Sequence, residues 1–424
     1  MTTFAKLTGP FRRAGVWALT LFLLAAFQPV ELTMANDELT LVGQSGAGKL
    51  FNTGDDLIQV MQLEGTWFEM GQQYGTFAKD GMQQVWDVTV QPVIDKKEMT
   101  ENEALSQFGQ RVFASSSHRM QQLYRGVADA TGWSVDKVAL VGQSAVLGVY
   151  QSKIHSFAGC SSLLAWGEAT KSGGMITARN MDWGEAFLKF PLYLTVYKPT
   201  DGSQAVANLG WPGWLWAMTM INENGVYVDL HDGTSMGGSV VFADRPSFLN
   251  SVFDMMVECN SADAISHRFN ATRTDFASIW TVADDSPTGF SFENAPYDSR
   301  RRNPTDGGDT LAVVNTFLNP DWGMRQRDTV SNSLTRYRNL TDRAADAHGS
   351  IDAEKAMELF DLTLFNLDGT FRENGGPTKP TKQDADVTCH QIVTDLKQRQ
   401  VWIKIPLKTQ WRHVDLSSLF QSGE

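Results

Sequence analysis

The chain has 424 residues, of which 42% are hydrophobic, and its 48 acidic against 36 basic residues give a formal net charge of −12. A chain of this length can bury a large core and hold two or three domains. The acidic balance argues against nucleic acid and anionic membranes as main partners. Nothing in the sequence fixes the oligomeric state, so a homo-oligomer stays open.

The first 35 residues are typical of an export signal. Basic residues precede the apolar run GVWALTLFLLAAF, and the small residues Thr33 and Ala35 fit cleavage before Asn36. The run is shorter than the ~20 apolar residues of a membrane-spanning helix, although an uncleaved anchor is the alternative. We therefore predict a signal peptide at 1–35 and an exported protein, periplasmic or extracellular, with no membrane attachment after signal removal.

The elements change character along the chain. Residues 36 to about 60 predict a Gly-rich start with one short strand, and apolar residues then follow helical spacing over 62–90 and 101–150, with Ser134 as a helix cap. From Cys160 onward, strand patterns alternate with turns, and hairpins are predicted at SIWTVADDSPTGFSFENA and TCHQIVTDLKQRQVWIKIPL. Helical patterns recur at 246–269, 331–346 and 351–364. This order predicts an α+β fold whose sheets are covered by helices.

Three familiar site patterns are incomplete. GQSGAGKL (43–50) nearly matches a phosphate-binding loop, but Leu50 stands where that loop needs Ser or Thr, and FNTGDD breaks the helix that should follow. GQSAV (142–146) lacks the second glycine of a serine-hydrolase nucleophile turn. The seven histidines form no H-E-x-x-H, and DLHDG around His231 is favoured as a turn over a ligand set. We predict no metal site and no cofactor.

Cys160 lies in SFAGCSSLL, where its neighbours are too small for an ordinary buried cysteine. Three cysteines leave at least one unpaired in an oxidising compartment, and Cys259 with Cys389 is either a disulfide or two buried thiols. A thiol nucleophile needs a base or a cation beside it. Cleavage after Gly159 would supply a base, because an α-amine with a pKa of about 7.7–8.0 is suited to accept the thiol proton. An inert buried thiol is the alternative.

Cys160 followed by GGMITARNMDWG resembles the N-terminal-nucleophile hydrolases of linear amides, which include conjugated bile acid hydrolases, penicillin V acylases and isopenicillin-N acyltransferase-like autoproteolytic hydrolases. Further segments follow in that family's order: LEGTWFEMGQQYG, GWPGWLWAMTMINENGV, LAVVNTF and NSLTRYRNL. The resemblance covers most of 60–340. It implies a four-layer αββα catalytic chain at 160–424 and a helical pro-region at 36–159. Autoproteolysis between Gly159 and Cys160 would separate them and leave the pro-region as a bound small subunit.

The resemblance also implies a role for each of five residues. Cys160 would be the nucleophile through its sulfur and the base through its α-amine, and Asp182 would hold that amine. Arg179 would lie beside the thiol, where a cation favours the thiolate. Asn315 would donate to the oxyanion or orient the amine, and Arg336 would brace the site electrostatically. The structural alternatives are a hairpin ion pair for Arg179 with Asp182, a strand-end bond for Asn315 and a helix-surface pair for Arg336.

The second oxyanion donor departs from the pattern. In the bile acid hydrolase branch an asparagine follows the N-E-x-G strand, whereas this chain has VYVDLHDG and offers His231 or Asp232. An ionised aspartate would repel an oxyanion, so His231 or a backbone N–H is the better candidate.

The sequence therefore predicts an autoproteolytically activated cysteine amidohydrolase that cleaves linear amide C–N bonds of a small acyl-amide through a thioester. Acyl transfer by the same site and an inactive exported ligand-binding relative are the alternatives. Trp211, Trp214 and Trp216 in GWPGWLW indicate a pocket for an apolar or aromatic acyl arm, although such tryptophans are as often core.

Overall fold

Two facing β-sheets form the centre of the protein, one of ten strands and one of six. The computed structural model describes residues 39–144, 147, 159–237, 245–286, 288–329, 333–360, 386–406 and 408–421. The predicted signal peptide at 1–35 lies outside these residues.

The strands in chain order are β1 (Thr40–Ser45), β2 (Gly48–Asn52), β3 (Ile58–Gly65), β4 (Gly159–Ala165), β5 (Ile176–Gly184), β6 (Leu192–Pro199), β7 (Val206–Gly210), β8 (Thr219–Asn222), β9 (Tyr227–Asp232), β10 (Ser278–Ala283), β11 (Gly289–Ala295), β12 (Asp298–Arg302), β13 (Thr310–Val314), β14 (Asp386–Asp395), β15 (Gln400–Lys404) and β16 (Arg412–Asp415). The order in the larger sheet is β1-β2-β3-β6-β7-β8-β9-β10-β11-β12, and in the smaller sheet it is β13-β4-β5-β14-β15-β16. Neighbouring strands pair antiparallel except β3 and β6, which pair parallel.

The α-helices of the described ranges are α1 (Trp67–Thr89), α2 (Gln91–Asp95), α3 (Glu101–Ala104), α4 (Gln110–Ser115), α5 (His118–Thr131), α6 (Val135–Gly142), α7 (Thr234–Gly237), α8 (Phe248–Glu258), α9 (Ala262–Ala271), α10 (Ser333–Asp346), α11 (Ala353–Phe360) and α12 (Leu416–Phe420). A π-helical turn, Leu105–Gly109, joins α3 to α4. Helices α1, α8 and α9 pack on the ten-stranded sheet, and α10 and α11 pack on the six-stranded sheet. The predicted αββα layering is therefore confirmed.

The segment before Cys160 contributes to a sheet as well as to a helical layer. Its helices lie within the predicted spans 62–90 and 101–150, apart from α2 between them, whereas residues 62–65 belong to strand β3; Ser134 caps α6 as predicted by accepting a hydrogen bond from the Lys137 N–H. Ahead of them the prediction of one short strand is wrong, because β1, β2 and β3 form a meander that extends the ten-stranded sheet. The GQSGAGKL stretch forms the β1–β2 hairpin, and Gly46 supplies the positive φ of 57° at its turn. Strand β2 stands where a phosphate-binding loop would need its helix.

Helix α1 begins in the LEGTWFEMG segment with a reciprocal cap. The Thr66 hydroxyl accepts the Glu69 N–H at 3.3 Å, and the Glu69 carboxylate accepts the Thr66 N–H at 2.8 Å. One turn later, Gly71 lies against α5, and a Cβ built on it would stand 2.3 Å from the Leu123 carbonyl oxygen. The glycine spacing of this segment thus allows two helices to touch through their backbones.

The predicted hairpins and later helices are present. β10 with β11 and β14 with β15 form the two hairpins. The pattern at 246–269 forms α8 and α9, and the pattern at 331–346 forms α10. The pattern at 351–364 forms α11 as far as Phe360, and its end lies outside the described residues.

Candidate active site

Strand β4 presents Cys160 to the space between the two sheets. Side chains alternate along a strand, so Cys160 and Leu164 join the core between the sheets, whereas Leu163 and Ala165 join the core under α10 and α11. Cys160 is 1% exposed. The second residue of the strand therefore carries a thiol that faces the space between the two sheets.

The main chain of Cys160 is held by side chains on its β13 side. Pairing between β4 and β13 stops at Ser161 with Val314, so the next residue of β13's chain, Asn315, lies opposite Cys160. The Cys160 N–H donates to Asn315 Oδ1 at 2.7 Å. Arg336 on α10 donates to the Cys160 carbonyl and also, at 2.9 Å, to Asn315 Oδ1. Asn315 thus holds the N–H of the peptide group that the predicted cleavage would break, and Arg336 holds both Asn315 and the next carbonyl of the chain.

The thiol lies between a cation and a thioether. Arg179 Nη2 is 3.7 Å from Cys160 Sγ, and Met181 Sδ is 3.4 Å from it. Burial raises the pKa of the Cys160 thiol to about 12, and this outweighs Arg179 and Arg336, which lower the pKa. In the uncut chain the thiol is therefore protonated at neutral pH, although Arg179 lies beside it as the resemblance implies.

Arg179 is fully buried and fastens the two sheets to each other. From β5 it donates to the Met218 carbonyl at 2.8 Å and the Leu230 carbonyl at 2.5 Å, and it contacts the Thr219 hydroxyl. Arg179 and Asp182 are three residues apart on one strand and point to opposite faces of the sheet. The hairpin ion pair between them, the structural alternative, does not form.

Asp182 on β5 lies directly opposite Gly159 on the adjacent strand β4, since these two residues are partners in the β4–β5 register. Its carboxylate accepts a hydrogen bond from the Thr388 hydroxyl on β14 at 2.7 Å. The carboxylate is therefore held next to the residue that precedes the Cys160 amide.

The two oxyanion candidates make other contacts. His231 Nε2 is 2.6 Å from the Asp229 carboxylate, 3.1 Å from the Ser162 hydroxyl and 3.0 Å from the Thr281 hydroxyl. The Asp232 carboxylate accepts the Thr234 N–H at 2.9 Å, and its main-chain oxygen accepts from Asn315 Nδ2 at 3.1 Å. Burial lowers the pKa of His231, so this imidazole is neutral at pH 7 and belongs to a polar cluster between the sheets.

The tryptophans of GWPGWLW pack on one another. Trp211 and Trp214 meet edge to face with ring centres 4.8 Å apart, and Trp214 stacks on Trp216 at 5.0 Å. Phe187 lies 4.8 Å from Trp211, and Trp216 donates to the Gly142 carbonyl. All three tryptophans are at most 2% exposed. They form an apolar cluster that contacts Trp183 of β5 and, through Trp211, His390 of β14.

The loop that carries Asn315 is fixed by a buried carboxylate. Glu293 on β11 accepts the N–H groups of Leu318 and Asn319 at 2.7 and 3.1 Å and the Trp322 indole at 2.6 Å. Burial raises the pKa of Glu293, against the lowering effect of Arg302. These hydrogen bonds fix the position of the main chain a few residues after Asn315.

Four residues that contact the candidate residues were missed by reading the sequence. Ser162 contacts His231, Met181 contacts Cys160, Thr388 contacts Asp182, and His390 contacts Trp211. Met181 lies inside the recognised RNMDW block, and alternation along β5 places it on the same face as Arg179, which is a signal that the sequence does contain. Thr388 and His390 come from β14, about 200 residues away, and only the pairing of β5 with β14 brings them near.

Cys160, Cys259 and Cys389 are all buried free thiols, so the disulfide alternative for the last two is not formed. Within the described ranges, no group of three or more histidine, cysteine or acidic residues is arranged to bind a metal ion. No helix in the part of the chain that the structure covers is both long and apolar enough to cross a membrane.

No protein-family model matches the chain. Among curated proteins it is 27% identical over 300 residues to protein dcd1B of Dictyostelium discoideum, across 61% of this chain and 55% of that protein. It is 22% identical over 411 residues to an uncharacterized protein of Archaeoglobus fulgidus, across 85% of this chain and 66% of the relative. The chain thus spans between half and two thirds of the length of these relatives.

Solved structures that the chain is similar to include a conjugated bile acid hydrolase of Clostridium perfringens, at 12% identity and a TM-score of 0.46 over 62% of this chain and 95% of that one. They also include penicillin V acylase of Agrobacterium tumefaciens, at 11% identity and a TM-score of 0.41, over 61% of this chain and 86% of that one. A third is the Caenorhabditis elegans ortholog of N-acylethanolamine-hydrolyzing acid amidase, at 14% identity and a TM-score of 0.38, over 56% of this chain and 93% of that one. Two of these are the kinds of enzyme that the sequence resemblance names.

Proposed function

We propose that the chain cuts itself between Gly159 and Cys160 and then hydrolyses linear amides of small molecules with its new N-terminal cysteine. One observation carries this proposal. The Cys160 N–H and C=O are bonded by the side chains of Asn315 and Arg336, while the thiol lies 3.7 Å from Arg179. An inert core cysteine needs no such surroundings, because its backbone would be satisfied by ordinary strand pairing.

The maturation step uses only the chain and water. The Cys160 sulfur attacks the Gly159 carbonyl carbon, a C–S bond forms, the C–N bond breaks, and the thiol proton passes to the departing nitrogen. Water then hydrolyses the thioester, which releases the Gly159 carboxylate and restores the thiol. The freed α-amine is already beside Asn315 Oδ1, which accepts from the same nitrogen at 2.7 Å before the cut.

Turnover repeats the same chemistry on a substrate. The α-amine, with an ordinary pKa of about 7.7–8.0, takes the thiol proton as sulfur attacks the substrate carbonyl. It then returns that proton to the departing amine, and water resolves the acyl-thioester. Arg179 stabilises the thiolate electrostatically once the thiol is deprotonated. Resolution of the same thioester by an added amine would give acyl transfer.

Several contacts support the idea that segment 36–159 stays bound as a small subunit. β3 lies inside the ten-stranded sheet and pairs with β6 over eight residues. The nearly buried Lys198 ammonium bonds Glu64 at 2.9 Å, and Tyr74 accepts the Gly213 N–H at 2.8 Å. Removing the segment would expose an unpaired edge of β6.

The substrate arm is proposed to be apolar, because the cluster of Trp211, Trp214 and Trp216 packs on His390, which is in the same register row as Cys160. A panel of amides with short polar, aliphatic and aromatic acyl groups tests this. Preference for the short polar members would overturn the proposed arm.

Mass spectrometry and N-terminal sequencing of the purified protein test the proposed maturation. We expect two fragments that divide at Gly159, with one of them beginning Cys-Ser-Ser, and amidase activity that elutes with both. Cys160→Ala should remain uncut and inactive, and Met236→Leu, a buried change of similar size elsewhere, should be cut normally. An intact chain that is fully active would refute the maturation, and an active Cys160→Ala variant would refute the catalytic role of the thiol.

A further inference from the structure

His390 lies in one row with the proposed nucleophile. In the register of three adjacent strands, Cys160 on β4 is opposite Met181 on β5, and Met181 is opposite His390 on β14. Directly opposed residues point to the same face of a sheet. With strands about 4.8 Å apart, the His390 backbone is about 10 Å from that of Cys160, and its side chain faces the same interior.

The His390 imidazole is buried without a hydrogen-bond partner. The residue is 0% exposed, and neither ring nitrogen has a partner among the residues that the structure describes. His231, equally buried on β9, has Nε2 within hydrogen-bond distance of the Ser162 and Thr281 hydroxyls and 2.6 Å from the Asp229 carboxylate, so only its Nδ1 is without a partner among the described residues. Buried polar groups are nearly always bonded, so an imidazole with both nitrogens unpartnered calls for a partner from outside the chain, such as a water or a ligand.

The surroundings of His390 are aromatic. The rings of His390 and Trp211 meet edge to face with centres 5.3 Å apart, and Trp211 packs on Trp214. The Trp214 indole N–H is also without a partner within the described ranges. Burial, and then the charge of Arg179, lower the pKa of His390 well below its usual value, so it offers one donor and one acceptor at neutral pH.

The side of Cys160 on which His390 lies indicates which part of a substrate it would meet. The α-amine that returns a proton to the leaving amine is on the β13 side, beside Asn315. The leaving amine therefore departs on that side, and the acyl arm extends the other way, past Met181 toward β14.

We propose that His390 is a specificity residue that hydrogen-bonds an oxygen on the far end of the acyl group. The substrate class is then an amide of an apolar or aromatic acid that carries a distal hydroxyl or carbonyl oxygen. This rests on the proposed amidase function and narrows it. A plain hydrocarbon arm would leave the imidazole unsatisfied in the complex and be rejected.

The test compares matched anilides of phenylalkanoic acids, each with and without a hydroxyl on the distal ring. The readout is the ratio of kcat/KM for the hydroxylated member over the plain one. We expect a ratio on the order of 10² for the unaltered protein and near one for His390→Phe, which keeps a ring against Trp211 but has no nitrogen. His390→Asn or His390→Gln should restore part of the ratio. Ile392→Val, two residues along the same strand face, should leave it unchanged.

The outcomes separate the two proposals. A fragment beginning Cys-Ser-Ser in His390→Phe shows that folding and maturation survive, so an unchanged ratio in that variant overturns the role of His390. A ratio near one for every pair in the unaltered protein overturns it as well. If His390→Phe fails to fold, the ratio in His390→Leu, which also has no hydrogen-bonding group, decides in the same way. An unaltered protein that neither cuts itself nor hydrolyses any anilide removes the amidase function, and the inference with it.

Discussion

Replacing Asn315 with alanine tests most directly whether the hydrogen bonds to the main chain of Cys160 are needed for self-cleavage. The side chain is 1% exposed; its Oδ1 accepts hydrogen bonds from the Cys160 N–H at 2.7 Å and from Arg336 at 2.9 Å, and its Nδ2 donates to the Asp232 carbonyl at 3.1 Å. Two neutral bonds at about 0.5–1.5 kcal/mol each and one to a charged group at about 1.5–3 kcal/mol predict a loss of about 2.5–6 kcal/mol in the free energy of unfolding. Domains commonly have only about 5–15 kcal/mol, so Asn315→Ala should fold but be fragile.

The same substitution should slow self-cleavage by about 10²–10³-fold, the usual cost of losing one oriented polar group at a reacting centre. The assay is a time course of fragment appearance on denaturing gels, at a temperature where urea titration shows the variant to be folded. Asn319→Ala is the matched control, because it removes two bonds of the same loop, at 2.8 Å each, that do not reach Cys160. Normal cleavage in folded Asn315→Ala, or equal slowing in Asn319→Ala, would refute the reasoning.

Three further predictions concern packing, the thiol and the fragments. A Cβ on Gly126 would stand 2.0 Å from the Phe68 carbonyl oxygen. Gly126→Ala should therefore cost about 3 kcal/mol by overpacking and regain about 1 kcal/mol through the higher helix propensity of alanine, a net loss of about 2 kcal/mol in the free energy of unfolding. Urea titration measures this, and Gly184→Ala, with nothing within 4 Å, should change it by less than about 0.5 kcal/mol. In uncut Asn315→Ala chain, Cys160 should resist iodoacetamide at pH 8, since burial holds its thiol pKa near 12 and the protonated form persists below that value. Labelling should become fast in urea, and fast labelling of the folded chain would contradict the burial. After the cut, the two fragments should elute together in size-exclusion chromatography until denaturant is added, because β3 pairs with β6 inside one sheet; separate elution in buffer would show that this pairing does not hold them.

The sequence by itself determined the parts of this protein that depend on local chemistry. Alternation predicted the hairpins of β10 with β11 and β14 with β15, and Ser134 predicted the start of α6, because side-chain period and capping act within a few residues. The ordered segments from Cys160 to Arg336 also indicated which residues would lie near the thiol, since they follow one another in a recognisable spacing.

Only the tertiary structure decided the rest, because it depends on contacts between distant parts of the chain. The meander β1–β3 joined the sheet by pairing with β6, more than a hundred residues later, and no local pattern fixes such a pairing. Burial between two sheets raised the pKa of Cys160 even though Arg179 lies beside it, since desolvation is set by everything packed around the thiol. His390 reached the row of Cys160 through the register of β14, which places two residues far apart in sequence on one face of one sheet.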